Sequence, residues 1–197
     1  MKRTLASLAV AALAIGQIVR AKTHDIAFTF RMGAGFPGDV NRTHPASIVP
    51  GLVNSSAPVA FYGFPAVIDG ATSSYRGLSA GDTELTSIDG VLARPYPTQQ
   101  MTGGMSASIG AAAAPTSGVA DFLEDGFIIA QCNNFAAAPP QKGGAVYVWI
   151  AASTGNHVQG GFEAAATAGS TIALTNARWN GPTDANGVTE IRVTASK

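Results

Sequence analysis

The sequence predicts an all-β protein, a β-barrel or β-sandwich body, preceded by an N-terminal α-helical arm. Short apolar segments recur from residue 25 onward, many with period-two alternation; Gly, Pro and Asn punctuate them, and little convincing helix follows residue 24. A chain of 197 residues accommodates one ordinary domain, or one domain plus an arm. A body of that size buries roughly 70% of the surface of its unfolded chain and needs no disulfide or metal staple.

The arm comes first. Leu5, Leu8, Ala12, Ile15 and Val19 recur at spacings of three and four and line one helical face. Alanine at several other positions favours helix. The same stretch has the outline of a secretory signal, with Lys2 and Arg3 before an apolar run and Val19-Arg20-Ala21 at a cleavage spacing. Arg20 is awkward beside a cleavage point, so the retained helix over residues 1–24 is favoured. The run is too short for a membrane span. Its apolar face needs cover from its own body, a sister subunit or another partner.

The body, 25–197, reads as strands. Asp25–Arg31 places Ile26, Phe28 and Phe30 on one face. Val59–Ile68 is aromatic and β-branched, and Pro65 assigns it to a sheet edge or a bulge. Leu85–Ala93 and Phe122–Gln131 each carry a central Asp-Gly pair, Asp89-Gly90 and Asp125-Gly126, of the kind that closes a tight hairpin. In Ala145–Ala151, Val146, Val148 and Ile150 oppose Tyr147 and Trp149; a run apolar on both faces belongs in the middle of a sandwich or barrel. Glu163–Ala168 reads as a short helix or a strand. Thr171–Leu174, Ala177–Trp179 and Val188–Thr194 follow, separated by Asn180-Gly181-Pro182 and Asn186-Gly187 turns. The stretch 99–118 is mostly Gly, Ala, Ser and Met, and reads as a surface loop or a contact loop ordered by a partner.

Charged residues are 12% of the chain, about half the usual share, which suits a surface that packs against protein. Net charge is zero, but through Arg42 six basic residues stand against two acidic, and the remainder has six basic against ten acidic. A basic arm on an acidic body points to contact with an acidic partner or a neighbouring copy. No basic cluster interleaved with aromatics is present, so no nucleic-acid partner is expected.

Motifs for chemistry are weak. Gly33-Ala34-Gly35-Phe36-Pro37-Gly38 matches G-x-G-x-x-G, but Pro45 and Pro50 interrupt any following helix, and no acidic residue lies about twenty positions on. It reads as a glycine-rich turn, and no cofactor is expected. His24, His44 and His157 lie in no recognisable nucleophile or metal context, and there is no G-x-S-x-G elbow. Cys132 is the single cysteine, has no basic neighbour in sequence, and reads as a small buried hydrophobe. Glu124 and Asp125 face opposite sides of a strand, a poor acid/base pair. No catalytic, cofactor or metal residues are assigned, and an enzyme is not expected.

From Phe36 onward the chain resembles the head cement, or decoration, proteins of tailed phages. The resemblance is carried by Phe36-Pro37-Gly38-Asp39-Val40, Ile48-Val49-Pro50, Tyr62-Gly63-Phe64-Pro65-Ala66-Val67, Arg94-Pro95-Tyr96-Pro97, Lys142 to Val148, Gly161-Phe162-Glu163-Ala164, and Gly181-Pro182 through Asn186 to Ile191. The order of these stretches is more specific than any one of them. The resemblance implies a non-enzymatic virion protein on the capsid exterior. It would bind the major capsid protein and copies of itself, as a dimer or trimer at symmetry axes, with no membrane partner. The apolar lead departs from the family pattern, and its residues become the candidate capsid or subunit contacts: Leu5, Leu8, Ile15, Val19, Arg20, Lys22, Arg31 and Arg42. The competing reading is an exported bacterial envelope or surface β-protein with residues 1–21 as a cleaved signal peptide.

Overall fold

Residues 119–131 place apolar side chains on both faces of an extended chain, and in the structure both faces receive cover from Phe122 to Ala130. The computed structural model describes residues 35–40, 46–95 and 113–196, all within the unit Ala34–Lys197. Among these residues nine strands are present: β1 (Ser47–Leu52), β2 (Pro65–Asp69), β3 (Ser74–Arg76), β4 (Gly90–Leu92), β5 (Val119–Gln131), β6 (Ala145–Trp149), β7 (Phe162–Glu163), β8 (Thr171–Trp179) and β9 (Val188–Val193). Among the described residues there is no helix. The predicted arm, 1–24, and the predicted strand Asp25–Arg31 lie outside them.

The strands form one sheet in the order β3-β2-β4-β5-β9-β8-β6-β7, with β1 also on β5, and every ladder is antiparallel. The sheet curls into a half-barrel. At one end a bridge joins Cys132 to Phe162, and the Asn133 amide donates to the Phe162 carbonyl at 2.7 Å. At the other, Val53 bridges Tyr75 and the Asn54 amide donates to the Tyr75 carbonyl at 2.8 Å.

Strand β5, thirteen residues long, is shared between the two halves. Its first half pairs with β1, from Ile48 with Leu123 to Leu52 with Val119, and with β4, Val91 with Leu123 and Leu92 with Phe122. Its second half pairs with β9, from Gly126 with Val193 to Gln131 with Val188. The exchange falls at Gly126, whose φ of 137° only glycine accepts readily. Asp125-Gly126 is therefore a bend inside one strand and not the predicted hairpin turn. Asp89-Gly90 makes no hairpin either. The Ile68 amide donates to the Asp89 carboxylate at 2.7 Å, and Gly90 opens β4 opposite Ala66. In both places long-range pairing overrides the local turn preference of Asp-Gly.

The two faces of β5 feed two cores. Phe122 joins Val53, Val59, Phe64, Ala66, Tyr75 and Leu92, with the Tyr75 and Phe122 rings stacked at 3.9 Å. Leu123 and Ile128 join the larger cluster of Val91, Val146, Val148, Phe162, Trp179 and Ile191. The predicted strand Ala145–Ala151 is present as β6, between β8 and β7. Pro65 differs from its expectation: β2 is an interior strand, and proline is tolerated because it is the first residue. Residues 171–179 form one continuous strand, with a bulge where Ala145 pairs with Arg178 and Val146 with Leu174. Of Glu163–Ala168, only Glu163 is in a strand, at the end of β7.

Candidate functional site

Two surface features stand out. The first is built where three stretches far apart in sequence converge. Phe36-Pro37-Gly38-Asp39 is a turn with proline second and glycine third, closed by the Asp39 amide on the Phe36 carbonyl at 3.0 Å. Phe61-Tyr62-Gly63-Phe64 is a second turn, closed at 3.3 Å. Gly38 has φ 93° and Gly63 φ 76°. The turns press together: a Cβ on Gly63 would lie 2.7 Å from the Gly38 nitrogen, and one on Gly38 2.8 Å from the Tyr62 Cβ. Backbone bonds from Gly38 to Ile129, from Gly63 to Leu92 and from Arg94 to Gly38, each 2.8 Å, tie the pair to β5 and to the end of β4.

This packing places the Arg94 guanidinium between two aromatic rings, 5.5 Å from the Phe36 centroid and 5.1 Å from that of Tyr62. Its Nε and Nη2 both donate to the Pro37 carbonyl at 3.3 Å, and Nε lies 3.6 Å from the Asp39 carboxylate. The Arg94 side chain is only 6% exposed, so it acts as a rivet inside the ledge. Burial raises the pKa of the Tyr62 hydroxyl, and the charge of Arg94 offsets part of that. Beside the ledge lies a cleft of about 550 Å³, lined by Phe61, Tyr62, Phe64 and Arg94 on one side and by Asn133, Asn134, Phe135, Asn156 and Val158 on the other. Phe61 stands at its rim, 55% exposed. The loop carrying Asn156 and Val158 is pinned by His157, whose Nδ1 meets the buried Glu163 carboxylate at 2.8 Å and whose ring stacks on Trp149.

The second feature is the ribbon of β1 and the first half of β5. The Val53 amide donates to Gly118, so Val49, Gly51 and Val53 direct their backbone groups toward β5, while Ile48, Pro50 and Leu52 direct theirs to the outer edge. One face of the ribbon is packed. The Tyr75 ring occupies the space a Cβ on Gly51 would need, and the Tyr75 hydroxyl donates to Glu124 at 2.8 Å. Burial, together with that carboxylate, raises the Tyr75 pKa. The opposite face is bare: Ile48 is 46%, Leu52 56% and Val119 65% exposed, and Pro50 and Asp121 are exposed between them.

All eight contact residues predicted from the sequence, Leu5, Leu8, Ile15, Val19, Arg20, Lys22, Arg31 and Arg42, lie outside the described residues. Among the described residues the exposed large hydrophobics are instead Phe36, Ile48, Leu52, Phe61, Ile68 and Val119. No strand is predicted from the sequence over 47–52; alternation in Ile48-Val49-Pro50-Gly51-Leu52-Val53 was the available signal, but both faces of that run are apolar, so the pattern does not show which face is uncovered.

The family model described as "Structural cement protein (E217 gp24/Pam3 gp6)" matches residues 25–194. The chain belongs to the phage structural cement protein family. It is a structural protein of the phage capsid, and this cement protein has a fold already seen in a virion. A chain from "The capsid of Myoviridae Phage XM1" superimposes with a TM-score of 0.57 at 20% identity, over 84% of this chain and 93% of that one. Comparison with curated proteins finds no match. The stretches that meet at Arg94 are among those that carried the family resemblance in the sequence.

Proposed function

We propose that this cement protein binds the outside of the major capsid protein shell and stabilises it. The observation that carries this reading is the bare apolar face of the β1–β5 ribbon, where Ile48, Leu52 and Val119 lie together exposed in a chain of the cement family. A subunit that binds only the expanded lattice stabilises that lattice by mass action, which requires area and complementarity and no chemistry. Attachment at several points, as a dimer or trimer at symmetry axes, adds avidity without high affinity at any single contact. The basic lead, with Arg20, Lys22, Arg31 and Arg42, supplies a further contact to the shell or to a sister copy. The test is electron microscopy and intact-mass measurement of purified particles. Full-length chain in many symmetric copies on the outer shell is the expected result. A mature chain that begins near Lys22 and is missing from particles would overturn the proposal.

A further inference from the structure

We infer that the bare face of the β1–β5 ribbon receives an apolar segment of the capsid lattice protein that carries Lys or Arg, and that this segment docks flat on the face instead of adding a strand. The inference rests on the cement reading above and names the surface and its partner's chemistry. Three observations carry it.

The face is apolar with one acid in its middle. Ile48, Pro50 and Leu52 alternate along β1, and Val119 is the register partner of Leu52. Asp121 is the partner of Pro50, which puts its carboxylate between the exposed apolar groups. Residues 47–52 and 119–125 contain Asp121, Glu124 and Asp125 and not one Lys or Arg.

The edge is closed to strand addition. Pro50 is the central outward-directed position of β1, between Ile48 and Leu52, and it has no amide to give an added strand. An incoming segment gains by covering side chains, not by extending the ladder.

A second copy of the same face is a poor occupant. Across a two-fold axis like face meets like face, and each copy brings Asp121 and no Lys or Arg from 47–52 and 119–125. The described residues as a whole hold eleven Asp and Glu against five Lys and Arg. Of those five, Arg76 is paired with Asp82 at 2.7 Å, Arg94 is held within its ledge, and Arg178 bonds the Leu174 and Ala177 carbonyls. Lys142 and Arg192 remain, Arg192 over the Phe127 ring, so among the described residues a second copy has few cations to offer this face.

The test uses full-length protein added to expanded shells lacking it, with bound copies read against NaCl concentration. Leu52→Asp and Val119→Asp should weaken binding by at least about tenfold. Asp121→Asn should bind more weakly at low salt and flatten the salt dependence. All three positions are exposed, so unchanged melting curves establish that each variant is folded. Variants that bind as the wild type does, while the wild type binds, overturn the assignment of the surface and leave the cement reading intact; a wild type that does not bind shells overturns that reading itself. Carbodiimide coupling of assembled particles then identifies the occupant. A peptide joining Asp121 to a lysine of the lattice protein is expected, and one joining it to Lys2, Lys22 or any other lysine of this chain refutes the choice of partner.

Discussion

Replacing Gly63 with alanine tests how the two glycine turns are locked together. The added Cβ would meet the Gly38 nitrogen at 2.7 Å, the Ile129 carbonyl oxygen at 2.9 Å and the Pro37 Cβ at 3.0 Å. Two of these are backbone atoms held by hydrogen bonds and the third is a ring carbon, so none can rotate aside. Placing an L-residue at a φ of 76° costs about 1–2 kcal/mol, and overpacking a tight site adds about 1–3 kcal/mol. The sum, about 2–5 kcal/mol, is a large share of the ~5–15 kcal/mol that a domain has in all. With a urea dependence of about 1–3 kcal/mol per molar, the unfolding midpoint should fall by on the order of 1–2 M. Gly143→Ala is the control, because Gly143 has a φ of 78° but open space around it. It should cost only the conformational part, about 1–2 kcal/mol. Equal midpoints for the two variants would refute the claim that the turns are in hard contact.

Arg94→Lys keeps the charge but loses the planar group between Phe36 and Tyr62, and should cost about 1–2 kcal/mol, seen as a melting temperature lower by several degrees. His157→Ala leaves the buried Glu163 carboxylate without its hydrogen-bond partner and should destabilise by about 1–3 kcal/mol; adding Glu163→Gln should recover part of that loss in the double variant. The Cys132 thiol is pushed up to about 12, first by burial and then by the nearby Glu163 charge. Its folded value lies above its unfolded one, so the stability it lends is full below about pH 8.5 and is lost as pH rises toward 12, by up to about 1.4 kcal/mol per pH unit. Cys132→Ala should flatten that slope in denaturation measured from pH 8 to 11, and a thiol reagent at pH 8 should modify the wild type only on unfolding.

Where the sequence succeeded and failed has a physical pattern. The run Val146 to Ile150 disclosed an interior strand because apolar residues on successive positions have no other home. Asp89-Gly90 and Asp125-Gly126 misled because turn chemistry is local, whereas their bonds go to Ile68 and Ala66 in one case and to Ser47 and Val193 in the other. The ribbon face escaped notice because alternation shows which side chains share a face and not whether anything covers it. The Arg94 ledge was visible only as separate stretches; their meeting depends on pairing between residues more than fifty apart.

The shared strand β5 also settles how force would travel through an attached subunit. Tension applied to the ribbon runs along one unbroken backbone from Val119 to Gln131, gripped by β1 and β4 at one end and by β9 at the other. Pulled lengthwise, those ladders are loaded in shear, so their hydrogen bonds resist together instead of opening one at a time. A swelling shell that tugs on the ribbon face would thus be pulling against the whole half-barrel at once.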